Sequence, residues 1–129
     1  MDLNDVVANV ADQEKGRWFD LLDPTTGAGT GIRFRVAGPD SGTQRRAELK
    51  LADDLAEIAD IDGRVSAEAR EKARINCLAA CVLDWELQED GQPIPFNHAN
   101  VVRVLRLAKW IEAQIDGFAS DRAGFQGGE

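Results

Sequence analysis

Cysteine, histidine and clustered carboxylates are the side chains that most readily hold metals or attack substrates, and this chain places few of them together. Cys77 and Cys81 stand four apart in an apolar run. On a helix that spacing puts both on one face, but zinc takes four ligands. The single histidine, His98, is distant in sequence, and no second cysteine pair exists. The pair is therefore expected to be small core residues. A disulfide between them inside a helix would distort the backbone. His98 falls in the first turn of an expected helix, where the positive helix end disfavours an imidazolium. A capping or surface role suits it better than catalysis.

The stretch Asp60-Ile61-Asp62-Gly63 invites a calcium reading. With Gly63 at the glycine position of an EF-hand loop, the first and last ligand positions fall on Ile58 and Ala69, which cannot coordinate. A break between two helices is the expected role. Gly27, Gly29 and Gly31 resemble a phosphate loop only superficially, because no Gly-Lys-Ser/Thr follows and they sit inside a hairpin. No Gly-x-Ser-x-Gly elbow is present. The sequence thus predicts no catalytic residue, no cofactor site and no metal site.

The large aromatic side chains are the remaining candidates for function. Trp85 is expected in the core. Trp110 lies off the main seam of the last helix, beside Val104 and Leu107, which form a second apolar flank. A helix with two apolar flanks packs on two neighbours, or on one neighbour and a partner. Trp18 and Phe19 open a predicted hairpin. Trp18, Phe19, Val104, Leu107 and Trp110 are therefore the candidate partner-binding residues.

The elements that must position these residues follow from periodicity. Leu3, Val6, Val7 and Val10 suit one or two helical turns, or a loosely packed arm, over Met1–Gly16. Arg17–Val36 reads as a β-hairpin: Ile32, Phe34 and Val36 alternate with Arg33 and Arg35. The linking Asp23–Gly31 is rich in turn residues. Asp40 or Ser41 caps a helix over Thr43–Asp60, with Leu51, Ala52, Leu55, Ile58 and Ala59 as its stripe. Ser66 caps a second helix, Ala67–Leu83, whose Ile75–Leu83 end is apolar nearly all round and reads as a buried spine. Asp84–Leu87 is expected to extend from it. Glu89-Asp90-Gly91-Gln92 is a turn, and Pro93-Ile94-Pro95-Phe96 must be extended. Asn97 caps a last long helix with the seam Val101, Leu105, Ala108, Ile111, Ile115 and Phe118, where Gly117 is a weak point. Gly124–Glu129 reads as a flexible, glycine-rich tail. The expected architecture is α+β, mostly helical: a single domain over 1–129 with an N-terminal β-hairpin (17–36) and about three packed helices in a helical core (43–120).

Composition narrows the partner class. The chain has 129 residues, 43% hydrophobic and 29% charged, with a net charge of −8. That length suits one domain with a real core. The acidic residues are spread along the chain, and a negative surface repels phosphate backbones, so nucleic acid is not an expected partner. No apolar run approaches the roughly 20 residues of a membrane span, and the acidic N-terminus does not resemble a signal peptide. The expected location is the cytoplasm, with no membrane partner.

The segment Cys81-Val82-Leu83-Asp84-Trp85-Glu86-Leu87-Gln88-Glu89-Asp90-Gly91-Gln92-Pro93-Ile94-Pro95-Phe96-Asn97 resembles the tail assembly chaperones of long-tailed bacteriophages and gene transfer agents. In that family a Val-x-x-Trp element is followed by an acidic-Gly turn, Pro-x-Pro-Phe, a polar cap and a final helix. Asn97 stands where serine is frequent, and caps equally well. The resemblance is specific over this segment and loose elsewhere. It implies a non-enzymatic helper that binds the tape-measure protein, the tail tube protein or both in the host cytoplasm, and is absent from the mature virion. It brings no catalytic residues, and it leaves self-association and a longer frameshifted form open. Two other classes remain: a head–tail connector or tail terminator, and a small acidic regulatory binding protein.

Overall fold

The computed structural model describes residues 1–126. Helix α1 (Leu3–Lys15) leads into strands β1 (Arg17–Leu22) and β2 (Gly29–Val36), then helices α2 (Gly42–Ile58) and α3 (Ala67–Cys81). Strand β3 (Val82–Glu86), the short strands β4 (Gln88–Glu89) and β5 (Gln92–Pro93), and helices α4 (His98–Leu107) and α5 (Lys109–Ala119) follow. A 3-10 turn, Arg122–Phe125, ends the described chain. The fold is α+β and mostly helical, as the sequence predicts.

The hairpin forms with Phe19 opposite Phe34 and Asp20 opposite Arg33. It is not the whole sheet. The order is β1-β2-β3, with Arg33 opposite Glu86 and Phe34 opposite Trp85. The spine therefore ends at Cys81, and the segment expected to prolong it is a strand lying inside the expected helical core. Val82 and Trp85 are buried, and pairing with β2 outweighs continuation of the helix. Ile75, Leu78, Ala79 and Cys81 fill the core, but Ala80 is exposed and Leu83 is half-buried.

The last helix is two helices. Ala108 is extended, with φ −153° and ψ 137°, and separates α4 from α5. The break falls there and not at Gly117. Helix α4 packs on α3, whereas α5 packs on β1 and β2, so one straight rod could not follow both. The seam survives the bend: Val101, Leu105, Ile111 and Ile115 are all buried.

Both ends of the described residues are built in. Helix α1 runs longer than one or two turns and starts with an Asp2–Asp5 capping box. Its anchorage is polar. Gln13 is 1% exposed; its amide donates to Asn9 Oδ1 and Asp40 Oδ2, and its Oε1 accepts from the Asp40 backbone N–H. Glu14 accepts from the Gly42 N–H and the Thr43 hydroxyl. Phe125 is fully buried and packs on Phe118, while Asn9 donates to its carbonyl. Gly124–Gln126 is thus held in place and not part of a flexible tail; Gly127–Glu129 lies outside the described residues.

Helix α2 differs from expectation in the opposite sense. Only Gln44 and Ala47 are buried on it; Leu51 and Leu55 are half-buried, and Ile58 is exposed. Its stripe meets α3 but runs past the rest of the core. Gln44 ties three elements together: its amide donates to the carbonyls of Ala37 and Ala119 at 2.9 and 2.7 Å.

The outer sheet edges carry their own partners. The Gln114 amide both accepts from the Leu22 N–H and donates to the Leu22 carbonyl, at 2.9 and 2.8 Å. On β3 the Trp85 N–H donates to the Asp84 carboxylate at 2.8 Å.

Candidate binding surface

Among the described residues no group of three or more His, Cys, Asp or Glu is placed to hold a metal ion. Cys77 and Cys81 are free thiols. Burial pushes both up, Cys81 to about 12, so neither is a ready nucleophile. His98 sits at the start of α4, 3.3 Å from Asn76 Oδ1. Asp60 accepts from the backbone N–H groups of Asp62 and Arg64, closing the turn between α2 and α3. Among the described residues no helix is long and apolar enough to cross a membrane.

The sheet has one face in the core and one outside. Alternation sends Phe19, Leu21, Phe34 and Trp85 inward, and Trp18, Asp20, Arg33, Arg35, Asp84 and Glu86 outward. Across the outer face Arg33 bridges Asp20 at 3.0 Å and Glu86 at 3.4 Å. Its guanidinium lies 5.0 Å from the centre of the Trp18 ring, within cation–π range. Arg35 donates to the Lys15 carbonyl at the end of α1. The arginines expected on the wet face are there, already engaged.

The five candidate partner residues do not share one surface. Trp18 is half-buried beneath Arg33. Phe19 lies on the other face of the sheet, stacked between Phe34 and Phe118 with ring centroids 5.8 and 4.7 Å away. Val104 is buried, a correction to its expected place on an open flank, because α4 turns that side toward the sheet. Trp110 is half-buried against the core. Leu107 alone stands well out, at 66% exposed.

Leu107 marks a groove that the sequence reading did not pick out. Strand β2 starts at Gly29, but its pairing with β3 stops at Arg33–Glu86. Beyond that pair the chain leaves β2 at Leu87 and forms the separate β4–β5 hairpin. Asp90 and Gly91, at φ 54° and 78°, make its turn in the left-handed region that two-residue hairpins require. Between Asp20–Arg33 and Leu22–Gly29, Leu21 alone stands opposite Thr30, Gly31 and Ile32, so β2 bulges here. A groove of about 730 Å³ lies between this bulge and Leu87, Pro93 and Ile94. Ile32, Leu87 and Ile94 also line a deeper recess walled by Phe34, Val104 and Leu107.

The segment from Trp85 to Asn97 sets the position of the groove's outer wall. The Trp85 indole N–H donates to the Ile94 carbonyl at 2.9 Å, and its ring meets Phe96 edge-on at 5.5 Å. The Ile94 N–H donates to the Leu87 carbonyl. Asn97 caps α4 through the Asn100 N–H. Pro93 pairs with Gln88 in the small hairpin, and Pro93 and Pro95 keep their preceding residues extended on the way from that hairpin to the Asn97 cap.

A second unpartnered surface runs along α2 and α3. Ala47, Leu51, Ala73 and Ala80 floor a cleft there, edged by Lys50 and Asp54 and continuing to Ile58. Lys50 and Asp54 pair at 2.8 Å, which raises the Lys50 pKa. Ile58, in the cleft's continuation, is 47% exposed, and Leu49 elsewhere on α2 and Ile61 in the turn after it are 58% and 101% exposed. Comparison of the chain with known protein families, with curated proteins and with solved structures finds no match.

Proposed function

We propose that this protein is a non-enzymatic tail assembly chaperone of a long-tailed phage or gene transfer agent, binding the tape-measure protein, the tail tube protein or both. It acts in the host cytoplasm and leaves before the particle is finished. The observation that carries the reading is the segment from Val82 to Asn97. Its tryptophan, acidic-Gly turn, Pro-x-Pro-Phe and polar cap are the residues of the family resemblance. They also act as one structural unit: strand, turn and helix cap, closed by the Trp85–Ile94 hydrogen bond and the Trp85–Phe96 contact.

The surfaces support a binding role. Leu49, Ile58, Ile61 and Leu107 are large apolar side chains left in water, on a chain whose net charge of −8 favours solubility. Co-expression with a tape-measure protein from the same genome tests the reading. The expected result is a co-purifying complex and a rise in the soluble fraction of the tape-measure protein. Failure of both, or stoichiometric copies of this chain in purified particles by mass spectrometry, would overturn it.

A further inference from the structure

We infer that the groove beside the β2 bulge is a docking slot for an extended segment of another protein, one that alternates apolar and basic residues. The inference rests on the binding-protein reading above and names the partner chemistry of one site.

Three observations carry it. The first is the backbone. Where Thr30, Gly31 and Ile32 face Leu21 alone, the ladder with β1 cannot satisfy all their peptide groups. The Ile32 N–H turns to the Thr30 hydroxyl, which itself donates to the Leu21 carbonyl. On the other side β3 has already departed. Gly31 has no side chain to screen its peptide groups, and a Cβ built there would meet nothing within 4 Å. An added strand pairs with such an edge through its own backbone. Three residues of strand span about 10 Å.

The second is the floor. Alternate side chains of an added strand point to one face. On the core side they meet Ile32, Leu87 and Ile94, and the recess between Val104 and Leu107. An apolar residue entering there would cover Leu107.

The third is charge. Arg33 is already held by Asp20 and Glu86, and Arg103 by Glu89. Asp90 adds a further carboxylate at the hairpin tip. Around the slot four carboxylates face two guanidiniums, so the surplus is negative. Side chains of the added strand that point outward meet this surplus, which selects lysine or arginine and rejects aspartate and glutamate.

The test uses the full chain and a fluorescein-labelled octapeptide alternating valine and lysine, followed by fluorescence anisotropy. Two control peptides replace lysine by glutamate, or the two central residues by proline. The expected result is saturable binding of the valine–lysine peptide, at least tenfold weaker for either control. Backbone amide NMR shifts should concentrate on Thr30–Ile32 and Leu87–Gln88. Leu107→Arg and Glu89→Lys change exposed side chains, so the fold should survive, and each should weaken binding at least fivefold. Leu49→Arg, on α2, should leave it unchanged. Equal binding of the proline peptide, shifts centred elsewhere, or no binding at all would overturn the slot. The two proposals separate cleanly. If Leu107→Arg protein still captures the tape-measure product at full strength, the slot fails and the assembly role stands. Peptide bound in the slot, with no tape-measure complex formed, has the reverse meaning.

Discussion

Gln44 offers the sharpest test of how this fold is held together. Its side chain is buried, and its amide donates to two carbonyls from distant parts of the chain, Ala37 after the sheet and Ala119 at the end of α5. The Ala119 carbonyl lies in the last turn of its helix and has no partner within it. Gln44→Met keeps the length and removes both donors. Leaving a buried acceptor unpaired costs about 1–3 kcal/mol, so two cost roughly 2–6. The thioether recovers about 1 kcal/mol of apolar burial. A net loss of about 3 kcal/mol, with a urea m-value of about 1.5 kcal/mol/M for a domain of this size, lowers the midpoint by about 2 M. Tryptophan fluorescence during urea unfolding reads this directly. Gln44→Glu sharpens the test. Its carboxylate faces two carbonyls, so burial and repulsion raise its folded-state pKa above the unfolded value of about 4.3. The folded state then binds the proton more tightly. The penalty is full above the folded pKa and fades as pH falls toward 4.3. A midpoint shift under about 0.3 M for Gln44→Met, or a Gln44→Glu penalty that does not change with pH, would refute the account of Gln44 as the tie between sheet and α5.

Phe125→Ala should cost about 3 kcal/mol, typical of an emptied aromatic site, with hydrogen exchange accelerating across α1 because the 3-10 turn that holds the residue-125 carbonyl against Asn9 loses its buried anchor. Asp40 is held below the usual carboxylate range chiefly by the Arg122 hydrogen bond, and Glu14 chiefly by the Thr43 hydroxyl. Depressed carboxylates stabilise above their unfolded values of about 4 and lose that effect as pH falls through the folded values. The double variant Asp40→Asn, Glu14→Gln should therefore show a flatter urea-midpoint profile below about pH 4 than the parent. Cys81, with its thiol near 12, should resist Ellman's reagent at pH 8 in the native protein and react promptly in urea. A fast native reaction at Cys81 would contradict its burial.

How much of this could be read beforehand depended on the kind of signal. The hairpin was legible because Ile32, Phe34 and Val36 alternate with arginines, and the helix starts at Ser41, Ser66 and Asn97 because each residue caps as its chemistry suggests. The end of α3 was not. Ile75–Leu83 is apolar throughout, and an apolar run has no period to tell helix from strand. What decides it is the contact of Trp85 with Phe34, which only the folded chain contains. Ala108 concealed the α4–α5 break more fully, since alanine is the best helix former and the seam keeps a helical spacing across it. The glycines near the C-terminus masked Phe125, whose burial depends on Phe118 and α1. Val104, Leu107 and Trp110 share an apolar flank off the helical seam, and that spacing alone cannot distinguish Val104 inside from Leu107 outside. The groove comes from a length mismatch between β2 and β3, which no periodicity in the sequence marks.

The Gln114 clamp on Leu22 and the Asp84 clasp on the Trp85 N–H have a consequence for stoichiometry. A sheet with two free margins has a valence of two and can propagate copy upon copy into a filament. Here Leu22 on one margin and the Trp85 N–H on the other are taken by the molecule's own side chains, which lowers the valence of the ladder at those two places. Loosening either contact, by Gln114→Ala or Asp84→Ala, should raise concentration-dependent self-association, which sedimentation velocity reads directly.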